Sequence, residues 1–281
     1  QDLEPRALAP APVGLNFLLV GYVHSDGNIF FDQALPIEDA VGRIHTVTTG
    51  YVRTLGLLGA SAKVGAVIPF AWGDWDGTVD GVPASTSRRG FADAAVTFSV
   101  NFIGAPARTP AQMRAREEGT VVGAACLAIV PVGQYDPARL INLGSNRWSF
   151  RTRLGASHRA GRWTFEAIGE TWMFTENPEA FGGVSIRQDP ILAVQLNVIR
   201  QLPRGAWLGA GYGYGEGGRT TVSGQEKDTR QVNERLGGVL VYPLSGPTSL
   251  KLAYIHGVST RIGADFDIVS LQWQVRWGGG G

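Results

Sequence analysis

The segment 269–277 restricts the fold of this chain more than any other. Its apolar and polar residues alternate without interruption, with Val269, Leu271, Trp273, Val275 and Trp277 at odd positions and Ser270, Gln272, Gln274 and Arg276 at even positions. Because successive side chains of a β-strand point to opposite faces, this strand has one apolar and one polar face. In a soluble sheet the apolar face would pack on a core. In a membrane barrel it would meet lipid, and the polar face would line the lumen.

The same alternation recurs along the whole chain. It is clear in 94–102, 148–156, 192–198, 208–214 and 250–254. With weaker segments included, we predict strands near 14–24, 41–55, 60–72, 90–102, 119–132, 147–158, 162–174, 189–201, 206–215, 230–243, 248–258 and 265–277. This makes twelve strands, an even number, as is usual for bacterial membrane barrels.

The predicted connections differ in length in a regular way. Short ones fall at 57–58, 159–162, 202–205 and 244–247, and long polar ones at 25–40, 73–89, 133–146, 175–188 and 216–229. Short periplasmic turns and longer extracellular loops are typical of outer-membrane barrels. We therefore predict an all-β protein, a transmembrane antiparallel up-and-down β-barrel over 14–277, located in the cell outer membrane with both termini periplasmic. Residues 1–13 are predicted to be a periplasmic segment, and 278–281 form a glycine tail unlike the rest of the chain.

Composition agrees with this fold and excludes several others. Only 17% of the residues are charged, against roughly a quarter in ordinary soluble domains. The longest apolar run, 121–132, is shorter than the about 20 residues that a membrane-spanning helix needs. The net charge of +1 argues against a nucleic-acid partner, and a single cysteine excludes a disulfide within the chain.

The connection between the fourth and fifth strands, 103–118, departs from the pattern of short turns. Thr109 can cap a helix, Pro110 suits the first helical position, and Gln112 completes a capping box. We predict a short periplasmic helix here. The segment fits either a docking site for a periplasmic protein or, as we favour, a solvated connector.

Aromatic residues collect near the ends of the predicted strands. They are Trp72, Trp75, Trp148, Trp163, Trp172, Phe174, Trp207, Tyr242 and Trp277. Because amphipathic rings favour the membrane–water interface, we predict that they form aromatic girdles.

Charged residues on the polar faces form the candidate functional site. If the strands on either side of the 159–162 turn pair, Arg151 and Arg153 lie opposite or diagonal to Glu166 and Glu170 in the lumen. Lys251 and Arg276 are predicted to point inward as well. A charged constriction of this kind can select solutes. We favour a structural salt-bridge ladder, because side chains fill much of the bore of a small barrel.

No residue set indicates catalysis. His24, His45, His158 and His256 are widely scattered, and there is no zinc-binding, phosphate-loop or nucleophile-elbow motif. We expect no enzyme activity, no cofactor and no metal. The expected partners are outer-membrane lipid and lipopolysaccharide, a small-molecule solute, and proteins docked at the extracellular loops or the 103–118 segment.

The stretch 133–150 reads Gly-Gln-Tyr-Asp-Pro-Ala-Arg-Leu-Ile-Asn-Leu-Gly-Ser-Asn-Arg-Trp-Ser-Phe. With 2–8, 10–14, 71–75, 218–222 and 257–267, it resembles the proteobacterial outer-membrane proteins of the phenol-degradation meta-pathway (MetA-pathway) family. The resemblance covers almost the whole chain. It implies an outer-membrane barrel and the uptake of small hydrophobic or aromatic compounds, and it implies no catalytic residues. The alternative is a structural barrel with a closed lumen that anchors partner proteins or a surface layer.

Overall fold

The computed structural model describes residues 3–30, 37–113 and 118–279. Within these ranges the elements are β1 (Leu15–Phe30), β2 (Ile37–Leu57), β3 (Ala60–Val79), β4 (Val82–Phe91), β5 (Ala94–Pro106), β6 (Gly119–Val130), β7 (Ser149–Ala160), β8 (Trp163–Phe174), β9 (Asn177–Ala180), β10 (Val184–Gln188), β11 (Ile191–Gln201), a 3₁₀ turn (Pro203–Gly205), β12 (Trp207–Gly217), β13 (Thr220–Val222), β14 (Gln225–Glu226), β15 (Gln231–Pro243), β16 (Thr248–Thr260) and β17 (Gly263–Gly278). Across the described part of the chain, no helix has the length and apolar character needed to cross a membrane.

Twelve of these strands form a closed antiparallel barrel. Its strands are β1, β2, β3, β5, β6, β7, β8, β11, β12, β15, β16 and β17. The barrel closes because β1 pairs with both β2 and the last strand, β17, while β2 also pairs with β3. The prediction of an all-β, twelve-stranded barrel is confirmed, and each predicted strand overlaps one of the twelve.

The two faces of the wall are those that the alternation predicts. The apolar face points outward: Val96, Leu196 and Trp273 expose 45%, 54% and 39% of their surface. The polar face points inward, where Gln195 and Asn197, the neighbours of Leu196, are only 3% and 2% exposed. A polar interior and an apolar exterior are what a lipid environment requires, since apolar side chains there lose nothing by facing out.

At the end of the barrel that carries the long connections, β1, β2 and β3 run several residues past their predicted ends. β3 and β4 form one long hairpin, whose turn at Asp80 and Gly81 has positive φ angles of 51° and 75° and suits an Asp-Gly pair. Strands β9, β10, β13 and β14 form a separate four-stranded sheet. The long connections at 73–89, 175–188 and 216–229 thus contain strands. Hydropathy did not reveal them because strands beyond the bilayer need no apolar face.

The predicted helix between the fourth and fifth barrel strands is not observed. β5 continues to Pro106, and residues 110–113 form a single turn. The predicted cap is present: Thr109 N donates to Gln112 Oε1 at 2.9 Å, and Met113 N donates to Thr109 O at 3.1 Å. Residues 114–117 lie outside the described residues. A helix this short is marginal unless it packs against another element. The capping residues alone were therefore not enough to predict a helix correctly.

Five of the nine residues predicted to form aromatic girdles face outward, as a girdle requires. Trp72, Trp148, Trp163, Tyr242 and Trp277 face outward and are 36–49% exposed. The other four face inward: Trp75 is 7% exposed, and Arg6, Arg147 and Arg151 stack on Trp207, Phe174 and Trp172. Nearness to a strand end does not determine the face on which an aromatic residue lies. Successive residues alternate between the two faces of a strand, and the place of the residue in that alternation determines its face.

Candidate functional site

The centre of the lumen is lined by buried polar side chains. Those under 9% exposed include Ser99, Asn101, Arg151, Arg153, Glu166, Glu170, Gln195, Asn197 and Arg235. Side chains of this kind are placed inward because a charge turned to lipid would lose its hydration without compensation.

Arg153 and Glu170 form the central ion pair. They are directly opposite each other on β7 and β8, and Arg153 Nε donates to Glu170 Oε1 at 2.7 Å. Arg151, one inward position further along β7, lies opposite Trp172, with its guanidinium carbon 4.9 Å from the ring centroid. Strands β7 and β8 therefore pair side by side in the wall, as the sequence predicted.

The described hydrogen-bond partners of Glu166 differ from the arginines that the sequence suggested. It lies opposite Ser157, and its Oε2 accepts from the backbone N of Arg6 at 2.9 Å and from Asn197 Nδ2 at 3.0 Å. Both donors come from outside the strand pair on which the prediction was based. Only a tertiary structure shows them.

The first donor belongs to the N-terminal segment (residues 3–14), which lies inside the barrel. The sequence predicted 1–13 to be a periplasmic segment beyond the barrel domain, and the described residues instead pack on the lumen wall. Leu3 and Leu8 are 6% and 5% exposed. Inward glycines make room for them: a Cβ added at Gly213 or Gly237 would lie 2.9 and 3.0 Å from a methyl carbon of Leu3.

Glu4 joins the N-terminal segment to the central ion pair. Its carboxylate bonds Arg153 Nη1 and lies 3.6 Å from Arg151 Nη2. Desolvation within the lumen would by itself raise the pKa of Glu4. The charges of Arg153 and Arg151 outweigh it, and with a smaller contribution from Lys251 they lower that pKa from 4.5 to about 2. Glu4 is thus ionised throughout the physiological range and attracted to the wall.

The wall also binds the backbone of the N-terminal segment. Lys63 Nζ donates to Ala7 O at 2.8 Å and to Ala9 O at 3.2 Å. Thr54 Oγ1 donates to Pro12 O at 2.5 Å and accepts from Leu15 N at 2.9 Å. An irregular segment inside a barrel needs such partners, since its backbone groups have no ladder of their own.

Two further signals in the sequence pointed to this arrangement. Leu3 and Leu8 are apolar residues in the predicted periplasmic segment, and three prolines, Pro5, Pro10 and Pro12, disfavour a regular helix there. The other predicted site residues are close by. The charge of Lys251 helps to lower the pKa of Glu4, and Arg276 lines a cavity with Arg6 and Glu166.

Cavities lie on either side of this filled centre. At the end of the short turns, a chamber of about 610 Å³ lies between the N-terminal segment and the wall; its lining includes Arg6, Pro10, Arg108, Glu118, Glu166 and Arg276. At the other end, a chamber of about 280 Å³ lies between the long hairpin and the 133–146 connection; its lining includes Ile29, Val41, Trp75, Arg88, Leu140 and Ile141. We call them the turn-end chamber and the loop-end chamber.

Two kinds of comparison found proteins that are similar to this chain, one with solved structures and one with family models. The structure resembles that of the COG4313 outer membrane channel from Pseudomonas putida F1, with a TM-score of 0.83, 18% sequence identity, and coverage of 98% of this chain and 100% of that one. The beta domain of the Bordetella autotransporter BrkA follows, with a TM-score of 0.50, 11% identity, and coverage of 95% and 99%. At these identities the likeness shows a shared fold, that of an outer-membrane β-barrel.

None of the curated proteins matches the sequence. A model of the family described as "Putative MetA-pathway of phenol degradation", however, matches residues 32–266, which is most of the chain. The chain therefore belongs to this phenol-degradation MetA-pathway family.

Proposed function

We propose that the protein is an outer-membrane channel for the passive uptake of small hydrophobic or aromatic compounds. The observation that carries the proposal is the arrangement of the lumen: chambers lie at both of its ends, and between them lies the N-terminal segment, which contacts the wall through hydrogen bonds and an ion pair. Such a segment can shift without breaking the wall, since every barrel strand is paired with its own neighbours.

The proposal includes an orientation. Gly279 N donates to Gly14 O at 2.9 Å, so both ends of the barrel chain lie at the same rim. The short turns, such as the one between β7 and β8, lie at that rim too. Because short turns are periplasmic in outer-membrane barrels, we place both termini in the periplasm and the loop-end chamber at the cell surface. Lipopolysaccharide would then surround the loop end.

For the charged cluster we propose a structural role. Arg153 pairs with Glu170 on the wall and with Glu4 on the segment, so the Arg153–Glu170 pair orients the guanidinium that holds the segment. A solute filter, the alternative, would need the same charges to face an open path.

A structural barrel is the second candidate function. It is favoured by one observation: the N-terminal segment occupies the centre of the lumen, with Leu3 and Leu8 buried. In that case the loops or the connector near Thr109 would bind protein partners, and nothing would pass through.

Solute flux distinguishes the two candidates. The full chain, reconstituted in phospholipid vesicles, is expected to accelerate the entry of a single-ring aromatic compound over protein-free vesicles, with a smaller effect on a sugar of similar size. Vesicles carrying heat-denatured protein are the control. Equal entry with folded and denatured protein would contradict the channel and favour the structural barrel.

A further inference from the structure

We propose that the loop-end chamber is a binding site for a single-ring aromatic acid, which it holds by the ring against Trp75 and by the carboxylate against Arg88. This inference names a substrate class and rests on the proposed function. It starts from the contrast between this chamber and the rest of the lumen. The filled centre is lined by charged and amide side chains, whereas most residues around this chamber are apolar.

The walls fix Trp75 in place. It projects inward from β3, and a Cβ on Gly42 of the neighbouring strand would lie 3.1 Å from its Cδ1 and Nε1. A Cβ on Gly73 would lie 3.2 Å from its Cη2. Both ends of the indole therefore rest on glycines of the wall. An aromatic side chain held in this way can contact a ligand at little entropic cost.

Arg88 is fixed at the edge of the same chamber. Its Nε donates to Ile141 O at 2.7 Å, and its Nη1 donates to Thr86 Oγ1 at 2.6 Å and to Ser87 O at 2.7 Å. These acceptors are all neutral. Within the described ranges, Nη2 makes no hydrogen bond, and a guanidinium Nη carries two N–H groups. A carboxylate is the acceptor that such a positioned guanidinium binds best.

The chamber has the size of a one-ring compound. Its volume of about 280 Å³ is just below the roughly 300–1,000 Å³ of drug-sized small-molecule sites. Ile29, Val41 and Ile141 line the chamber together with Trp75, so a bound ring would meet an apolar surface. Arg139 also lines the chamber, but Asp136 engages it at 2.9 Å. We therefore assign the head group to Arg88.

The chain offers matched controls for both residues. Trp72 lies on the same strand as Trp75 but faces outward and is 36% exposed. Arg89 follows Arg88, yet its guanidinium lies over the outward-facing Phe70 ring at 5.8 Å. Each pair compares the same side chain on the two faces of one strand.

Ligand binding by the purified full chain tests the proposal, with saturation-transfer NMR and benzoate as the probe. Benzamide, which has the ring but no charge, is the reference compound. We expect benzoate to bind the wild type, Trp72→Ala and Arg89→Gln alike, and to bind Trp75→Ala about tenfold more weakly or worse. Arg88→Gln should weaken benzoate by about tenfold and leave benzamide nearly unchanged. Trp75→Phe should bind, which guards against a folding defect in Trp75→Ala.

Two results would overturn the proposal. One is the absence of benzoate binding to the folded wild type. The other is binding that neither Trp75→Ala nor Arg88→Gln alters. Vesicle flux with no binding in the chamber would sink this inference and leave the channel standing, whereas binding with no flux would sink the channel alone.

Discussion

The two ends of the lumen are closed in different ways. At the turn end, the N-terminal segment enters beside the turn-end chamber and fills the centre of the bore, where Glu4, Lys63 and Thr54 join it to the wall. At the loop end, the 133–146 connection folds against the inner face of the β3–β4 hairpin and leaves an apolar chamber. A segment whose backbone has no strand partner must form its hydrogen bonds with polar side chains of the wall. Strands that already pair with each other have their backbone hydrogen bonds, so they can present apolar side chains to a ligand.

One carboxylate anchors both ends of the loop that closes the second end. Asp93 Oδ1 accepts from Gly133 N at 2.9 Å, and its Oδ2 accepts from Ser145 N at 2.8 Å and from Ser145 Oγ at 2.6 Å. Both ends of the connection are thereby pinned to the rim. We infer that the loop end is rigid, while the turn end depends on contacts that charge and salt can loosen.

Removal of residues 1–12 should have the largest effect, because it empties the centre of the lumen. The deletion variant is expected to show a several-fold higher single-channel conductance in a planar bilayer than the full chain. Trp75→Ala, which changes the other end, should leave conductance close to the wild type. An unchanged conductance after the deletion would mean that the N-terminal segment does not limit passage.

The comparison of the two ends of the lumen depends on which face of the barrel wall meets lipid and which lines the lumen. The Trp273→Arg substitution tests this assignment. This residue is 39% exposed on the outer face, so an arginine there should cost ~2–4 kcal/mol near the bilayer midplane and less near an interface. Its neighbour Gln272 points inward, and Gln272→Arg should be much milder. Equal losses in the free energy of unfolding, measured by refolding into lipid, would show that the faces are misassigned.

Glu170→Gln asks whether the charges at the filled centre are structural. The change breaks a buried ion pair of 2.7 Å and should lower stability by up to about 3 kcal/mol, with solute flux nearly unchanged. Glu234→Gln is the control, since Glu234 accepts from Tyr212 on the outer face. Altered ion preference in a planar bilayer, without a loss in melting temperature, would instead identify a selectivity filter.

Acid should loosen the turn end by a smaller amount. The pKa of Glu4 is lowered from 4.5 to about 2, so its attraction to the arginines is complete above pH 4.5 and is lost as the pH falls toward 2. Conductance should therefore rise across that window. Glu4→Gln should show the raised conductance already at neutral pH and little further change on acidification. The same acid response in both proteins would exclude Glu4 as the cause.

Much of the wall could be predicted from the sequence, and less of the site. Strict alternation, as around Trp273 and Leu196, predicted the barrel, its strand number and its outer face. The short turn between their strands placed Arg153 opposite or diagonal to Glu166 and Glu170, and the structure shows that Glu170 is its partner. Glu166 was assigned to the correct face but not to its partners, because Arg6 and Asn197 approach from other parts of the chain.

What the sequence by itself determined is therefore local: a period of two, a turn length and the face on which each side chain lies. Only the tertiary structure decided what occupies the lumen. Leu3 and Glu4 reach Gly213 and Arg153 across more than a hundred residues of chain, and no local pattern encodes such a contact. The loop-end chamber is of the same kind, since Trp75 and Ile141 meet only when the barrel has closed.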